Sequence, residues 1–93
     1  MAESVWYLYL IECEDGSLYT GITTDVERRY AEHAAGKGAR YTRMKKPLRL
    51  VGFRECGSRS EALKAELALK KLPATQKPAA VAGTALRLPG ATP

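Results

Sequence analysis

Tyr9, Tyr19, Arg29, His33 and Glu66 are the side chains whose types and spacing can do chemistry. The two tyrosines lie on runs joined by a tight Asp15-Gly16 turn, which places them on neighbouring strands and within reach of one sheet face. Arg29 and His33 are four residues apart and share one side of a helix. Glu66 is the local anomaly. At ~100° per residue it falls between Ala62 and Leu69 on one side and Leu63 and Leu67 on the other, inside the apolar arc of its helix. A carboxylate there is costly to bury unless it is paired, hydrogen-bonded or bound to a metal. Together these groups meet the needs of phosphodiester hydrolysis: a deprotonated water, a cation at the scissile phosphate, and a positive donor for the charge of the transition state. A tyrosine pair can bind or activate the water, Arg29 can clamp phosphate through its planar fork, Glu66 can hold the cation, and His33 can move a proton or bind phosphate. One carboxylate with waters and substrate phosphate suits Mg²⁺ or Mn²⁺. Structural readings stand beside these: tethered strand tyrosines in a core, a solvated Arg/His helix face, and a salt bridge from Glu66 to a Lys or Arg.

Each of these residues needs an element to hold it. Val5 to Ile11 is an aromatic and β-branched run that predicts a buried strand ending near Glu12 or Cys13. Asp15-Gly16 turns the chain into a second strand, Ser17 to Thr20, ending near Gly21 and pairing antiparallel with the first. Thr24 and Glu27 have capping-box spacing and predict a helix from about Asp25 to Ala34, carrying Arg29 and His33. Gly36-Lys37-Gly38 ends it and opens a loop to Pro47. Leu48 to Phe53 reads as a third strand, broken at Cys56-Gly57. Ser58 and Glu61 repeat the capping-box spacing and start the helix of Glu66, which lasts until Pro73. The fold class expected is therefore α+β: a three-stranded antiparallel sheet flanked by helices in the order β-β-α-β-α, with a weak C-terminal helix near Gln76–Val81. One domain over 1–78 accounts for the pattern, with 79–93 as a poorly structured tail.

Charge is unevenly spread along the 93 residues. Residues 1–25 hold five acids and no base, whereas 26–77 hold fourteen bases and five acids. The densest basic stretch is the loop, where Lys37, Arg40, Arg43, Lys45 and Lys46 surround Tyr41. A surface of this kind points to a polyanionic partner, nucleic acid before others, against the plainer reading of solvated helix faces.

Several classes are excluded. Cys13 and Cys56 stand far apart without a CxxC pair and with only one His in the chain, which argues against zinc and against a disulfide framework. No run approaches the ~20 apolar residues that span a bilayer, so no membrane partner is expected. The start holds Glu3 and no base, unlike a signal peptide, which predicts a cytoplasmic protein.

Tyr7-Leu8-Tyr9, then Tyr19-Thr20-Gly21, Arg29, His33 and Glu66 in this order and spacing resemble the GIY-YIG nuclease superfamily. Asp15 to Arg29 and Gly36 to Thr42 look like its small stand-alone bacterial members, and the resemblance covers about residues 5–78. It implies that Tyr9 and Tyr19 surround the attacking water, that Arg29 stabilises the phosphate, that His33 lies near the site, and that Glu66 holds one divalent metal. Tyr7-Leu8 stands for the Gly-Ile of the family name, at backbone and packing positions. The chain has no Asn to fill the place that many members give one beyond the metal glutamate, leaving Thr75, Gln76 or water. Ile22-Thr23-Thr24 stands where some members carry a lysine.

The expected activity is a Mg²⁺- or Mn²⁺-dependent endonuclease hydrolysing DNA, with RNA not excluded. Sequence specificity should be low and any preference structural or supplied by a protein partner, in DNA repair or recombination. The alternative is a non-catalytic nucleic-acid-binding module that keeps the fold and the basic loop.

Overall fold

The computed structural model describes residues 4–82. Three strands, β1 (Trp6–Cys13), β2 (Leu18–Thr23) and β3 (Pro47–Gly57), form one antiparallel sheet in the order β2-β1-β3. Helices α1 (Val26–Ala34) and α2 (Arg40–Met44) lie between β2 and β3 in the chain. Helix α3 (Arg59–Lys70), a 3-10 turn (Ala74–Gln76) and α4 (Lys77–Ala82) follow β3.

The central strand explains why its sequence is apolar almost throughout. β1 is covered on both sides, so it lacks the alternation of a half-exposed strand. Leu8 and Leu10 face one way and join Leu69 of α3 and Val81 of α4, with Leu18, Ile22 and Val51 around them. Tyr9, Ile11 and Cys13 face the other way and join Val26 of α1, with Tyr19, Tyr30, Tyr41, Leu50 and Phe53 around them. One face is thus an aliphatic core under α3 and α4, and the other is an aromatic layer under α1 and α2.

The turn between β1 and β2 forms where Asp15-Gly16 predicts it. Gly16 takes a positive φ of 85°, and the Asp15 carboxylate accepts from the Ser17 backbone N–H at 3.0 Å and its hydroxyl at 2.5 Å. β2 then runs on to Thr23, beyond the end expected near Gly21. The helix that follows is capped differently from the Thr24–Glu27 expectation: Asp25 is the N-cap and accepts from the Arg28 N–H at 3.1 Å. Thr23 Oγ1 accepts from the Asp25 N–H, which leaves Thr24 outside the cap. The Ser58–Glu61 box forms as read, with reciprocal bonds of 3.2 Å.

Two further differences matter for function. The basic stretch expected as a loop contains α2, a short helix whose Thr42 is buried. The packed chain also passes residue 78, because α4 extends to Ala82 and seats Val81 in the aliphatic core. The remainder of the expected 79–93 tail, from 83 onward, lies outside the described residues.

Candidate active site

Four of the five candidate catalytic residues converge on the aromatic face. Tyr9 on β1 and Tyr19 on β2 point to the same side, with ring centroids 6.2 Å apart. His33, one turn beyond Arg29 on α1, is fully buried against both, 5.8 Å from the Tyr9 ring and 5.1 Å from that of Tyr19. Tyr41 of α2 closes the layer, 5.6 Å from Tyr19.

Hydrogen bonds fix the cluster. Tyr9 Oη and His33 Nε2 are 2.8 Å apart in a buried contact. His33 Nδ1 lies 2.6 Å from Thr42 Oγ1, and the Thr42 hydroxyl donates to the Ala39 carbonyl at 2.9 Å. Two glycines make room for these rings. Gly21 pairs with Tyr9 across the ladder, and a Cβ there would lie 2.5 Å from Tyr9 Cζ. A Cβ on Gly38 would lie 2.7 Å from His33 Cγ. Both distances are shorter than packed carbon atoms accept. Thr42 and these glycines were missed as site residues in the sequence. Their signals lay in the segments that carry the resemblance, a Gly two residues after Tyr19 and a Gly-x-Gly followed four residues later by a hydroxyl, but neither spacing assigns a role.

The environment sets the protonation of both partners. Burial, and secondarily Tyr19, push the Tyr9 hydroxyl above the usual phenol range, against the pull of the Arg29 guanidinium. Burial and the charge of Arg29 lower His33 to about 4, against a smaller opposite effect of Glu32. Both groups are therefore neutral at pH 7. Arg29 is about one-third exposed and donates to Glu32 Oε1 at 3.0 Å, which holds the guanidinium at the rim of the cluster.

Glu66 lies elsewhere. It belongs to α3, on the aliphatic side of the sheet, where its side chain keeps 18% of its exposure and meets Lys70 at 3.6 Å. The structure brings Tyr9, Tyr19, Arg29 and His33 together and leaves Glu66 outside their hydrogen-bonded group. Leu67, read as part of the same apolar arc, is 61% exposed. The buried stripe is the narrower one through Ala62 and Leu69, because α3 rests on the sheet along a single line. β2 is the strand the two sides share: Tyr19 and Gly21 line the aromatic layer, while Leu18 and Ile22 meet the α3 side. It is also an edge strand.

The donor set has a bearing on metal. Among the described residues no group of three or more His, Cys, Asp or Glu side chains comes together. Glu66 is a half-buried carboxylate with only a long ion pair on its own helix. A single oxygen donor of that kind fits a hard divalent cation that retains most of its waters, and does not fit zinc.

The basic residues line α2 and its flanks. Lys37, Arg40, Arg43, Lys45 and Lys46 are all exposed and Tyr41 is half-buried. Lys45 is already engaged, 2.7 Å from Asp15 and 5.6 Å from the centre of the Tyr41 ring. Lys45 and the Ser17 hydrogen bonds hold the Asp15 carboxyl well below the usual carboxylate range. Acids of the N-terminal hairpin thus neutralise part of the basic surface, as Glu12 does for Arg49 at 2.8 Å.

This sheet, with its paired tyrosines and the Arg and His of the first helix, can be compared with known proteins. A family described as "GIY-YIG catalytic domain" matches residues 5–78. The chain belongs to the GIY-YIG family. It is 60% identical over 76 residues to a UPF0213 protein of Cupriavidus necator, covering 82% of this chain and 83% of that one. A UPF0213 protein of Cronobacter sakazakii is 58% identical over 78 residues, with 84% and 82% covered. The solution structure of a protein from E. faecalis shares 45% identity and superposes with a TM-score of 0.56, over 82% of this chain and 81% of that one. GIY-YIG domains form a nuclease family, so the substrate class is nucleic acid, and its nucleases generally use a divalent metal. In this GIY-YIG chain Tyr7 and Leu8, in place of the Gly and Ile of the name, serve packing: Tyr7 meets Phe53 edge-on at 5.9 Å and Leu8 enters the aliphatic core. No helix among the described residues is long and apolar enough to cross a membrane.

Proposed function

We propose that this protein is a divalent-metal-dependent endonuclease that hydrolyses DNA with low sequence specificity, in the service of repair or recombination. The observation that carries the reading is the buried Tyr9–His33 hydrogen bond at 2.8 Å, ringed by Tyr19 and Arg29, in a chain whose family is one of nucleases. A buried tyrosine bonded to an imidazole is a group prepared to exchange protons, which a purely structural aromatic layer does not need.

Tyr9 and Tyr19 bind and orient the attacking water through their hydroxyl oxygens. Tyr9 takes a proton from it and shares its own with His33. Arg29, held at the rim by Glu32, donates from its planar fork to the phosphate oxygens and stabilises the charge that grows there. Glu66, on the α3 side of the edge strand β2 that both faces share, is the carboxylate that would hold the cation, Mg²⁺ or Mn²⁺. When bound, such a cation would supply neutralisation of phosphate charge and support for the leaving oxygen. Lys37, Arg40, Arg43 and Lys46 contact the DNA backbone without reading its bases, which accounts for low specificity. Any selectivity then comes from substrate shape or a protein partner.

The test is cleavage of labelled single-stranded, duplex, flap and branched DNA with Mg²⁺, Mn²⁺ or EDTA, comparing the parent chain with Glu66→Ala and Arg29→Ala. Cleavage that requires metal and is lost in both variants supports the enzyme. Salt-dependent binding with no cleavage on any substrate favours a module that binds nucleic acid without cutting it. The exposed bases of α2 and the missing Asn keep that second reading in view.

A further inference from the structure

Thr42 has no contact with substrate in the mechanism above, yet it is buried at 2% exposure and bonded at both ends. A hydroxyl has one proton, and that of Thr42 goes to the Ala39 carbonyl, which can only accept. Towards His33 its oxygen is therefore an acceptor, and the His33 nitrogen 2.6 Å away must be the donor. A neutral imidazole carries one N–H, so a proton on Nδ1 leaves Nε2 bare. The Tyr9 hydroxyl, 2.8 Å from Nε2, then has a single role open to it, that of donor.

We propose that Thr42 is a positioning residue that fixes His33 in its Nδ1–H form and thereby sets the direction of the Tyr9–His33 hydrogen bond. The chain of donors runs from Tyr9 Oη–H to His33 Nε2, from His33 Nδ1–H to Thr42 Oγ1, and from Thr42 Oγ1–H to the Ala39 carbonyl. Every donor in it has an acceptor, and it ends on a backbone carbonyl that cannot be reversed.

The consequence is chemical. With its proton aimed at a bare nitrogen, Tyr9 keeps its lone pairs for the Arg29 guanidinium beside it and for a water bound among Arg29 and Tyr19. As water attacks phosphorus, the proton it loses can then pass to Tyr9 Oη while the Tyr9 proton passes to Nε2, so no free hydroxide forms and the imidazolium stays bonded to Thr42 through Nδ1–H. The opposite tautomer would aim Nε2–H at Tyr9 Oη and close that route. α2 places this control next to the basic surface, since Thr42 is flanked by Tyr41, whose ring meets that of Tyr19 at a tilt, and by the exposed Arg43.

The meaning for catalysis rests on the nuclease reading, but the tautomer does not, and His33 is the single histidine of the chain. Long-range proton–nitrogen correlation of the ¹⁵N-labelled protein at neutral pH reads its imidazole directly. Expected is a protonated-type shift at Nδ1 and a bare-type shift at Nε2. Thr42→Val, which keeps the shape and removes the acceptor, should move the pattern to Nε2–H or to an averaged mixture. Thr42→Ser should restore Nδ1–H, and Tyr9→Phe should leave it in place. An Nε2–H pattern in the parent protein overturns the proposal, as does an Nδ1–H pattern that persists in a folded Thr42→Val. Should the expected pattern be found while no variant or parent cuts DNA, the nuclease reading fails and the role of Thr42 in holding the tautomer stands.

Discussion

Gly21 sits directly across the β1–β2 ladder from Tyr9, and the Tyr9 ring occupies the space that any side chain at Gly21 would need. The close approach, not backbone freedom, is what demands glycine, because the residue has no positive φ. Gly21→Ala must therefore push either the ring or the strand. Overpacking of this type costs about 1–3 kcal/mol, and urea denaturation should show that loss together with a reduced rate of DNA cleavage. Unchanged stability and an unchanged rate would mean that the Tyr9 ring has an alternative seat.

In the proposed reaction Arg29 acts through geometry as well as charge. Arg29→Lys keeps the charge but loses the planar fork, so cleavage should fall by roughly 10²-fold or more, by analogy with removal of one transition-state donor. Binding of uncleaved DNA should change little. A lysine variant with parental turnover would reduce Arg29 to a general electrostatic role.

Stability should respond to pH through His33. Its folded value of about 4 lies below the ordinary 6.5, so between these pH values the unfolded chain binds the proton and the folded chain does not. Stability is then fully present above about pH 6.5 and declines as pH falls towards 4, by roughly 3 kcal/mol in all. Chemical denaturation at pH 7.5, 5.5 and 4.5 tests the sign. A His33→Gln variant should be less stable at pH 7.5 and show a flatter profile across that window.

Nucleic-acid binding should depend unequally on the basic residues. Replacing Arg40, Arg43 or Lys46 by Ala should lower the salt dependence of binding by about one phosphate contact each. Lys45→Ala should do less, because Asp15 already pairs with it at 2.7 Å. Asp15→Asn should strengthen binding at low salt by releasing that lysine. Fluorescence anisotropy over a salt series distinguishes these cases, and equal slopes for all four lysine and arginine variants would contradict the assignment.

Much of this architecture was legible in the residues. β1 was evident because a strand covered on both faces is apolar at successive positions, and α3 because its Ser58–Glu61 box is a local device that needs no tertiary partner. The hairpin paired Tyr9 with Tyr19 and a four-residue helical spacing paired Arg29 with His33, while the joining of the two pairs came from the chemistry they could share and from the family resemblance. What escaped notice depends on contacts between distant segments. Thr23 rather than Thr24 supports the cap of α1 because β2 runs further than its turn implied. Thr42 and Gly38 matter only through the His33 ring, which no spacing in their own segment reveals. The exposure of Leu67 likewise depends on how α3 lies on the sheet, which a helical wheel does not record.

The two-sided burial of β1 has a consequence for when the protein can act. Both tyrosines are made within the first nineteen residues, but the reverse face of their strand is covered by Leu69 and Val81 near the other end of the domain. A ribosome-bound fragment that has exposed the hairpin and α1 still lacks the helices that hold β1 in register. A slip of one residue there would turn Tyr9 into the aliphatic layer and put a leucine in its place. Half-made or misregistered copies would thus lack the Tyr9–His33 pair, which needs β1 held in register by the helices on its other face.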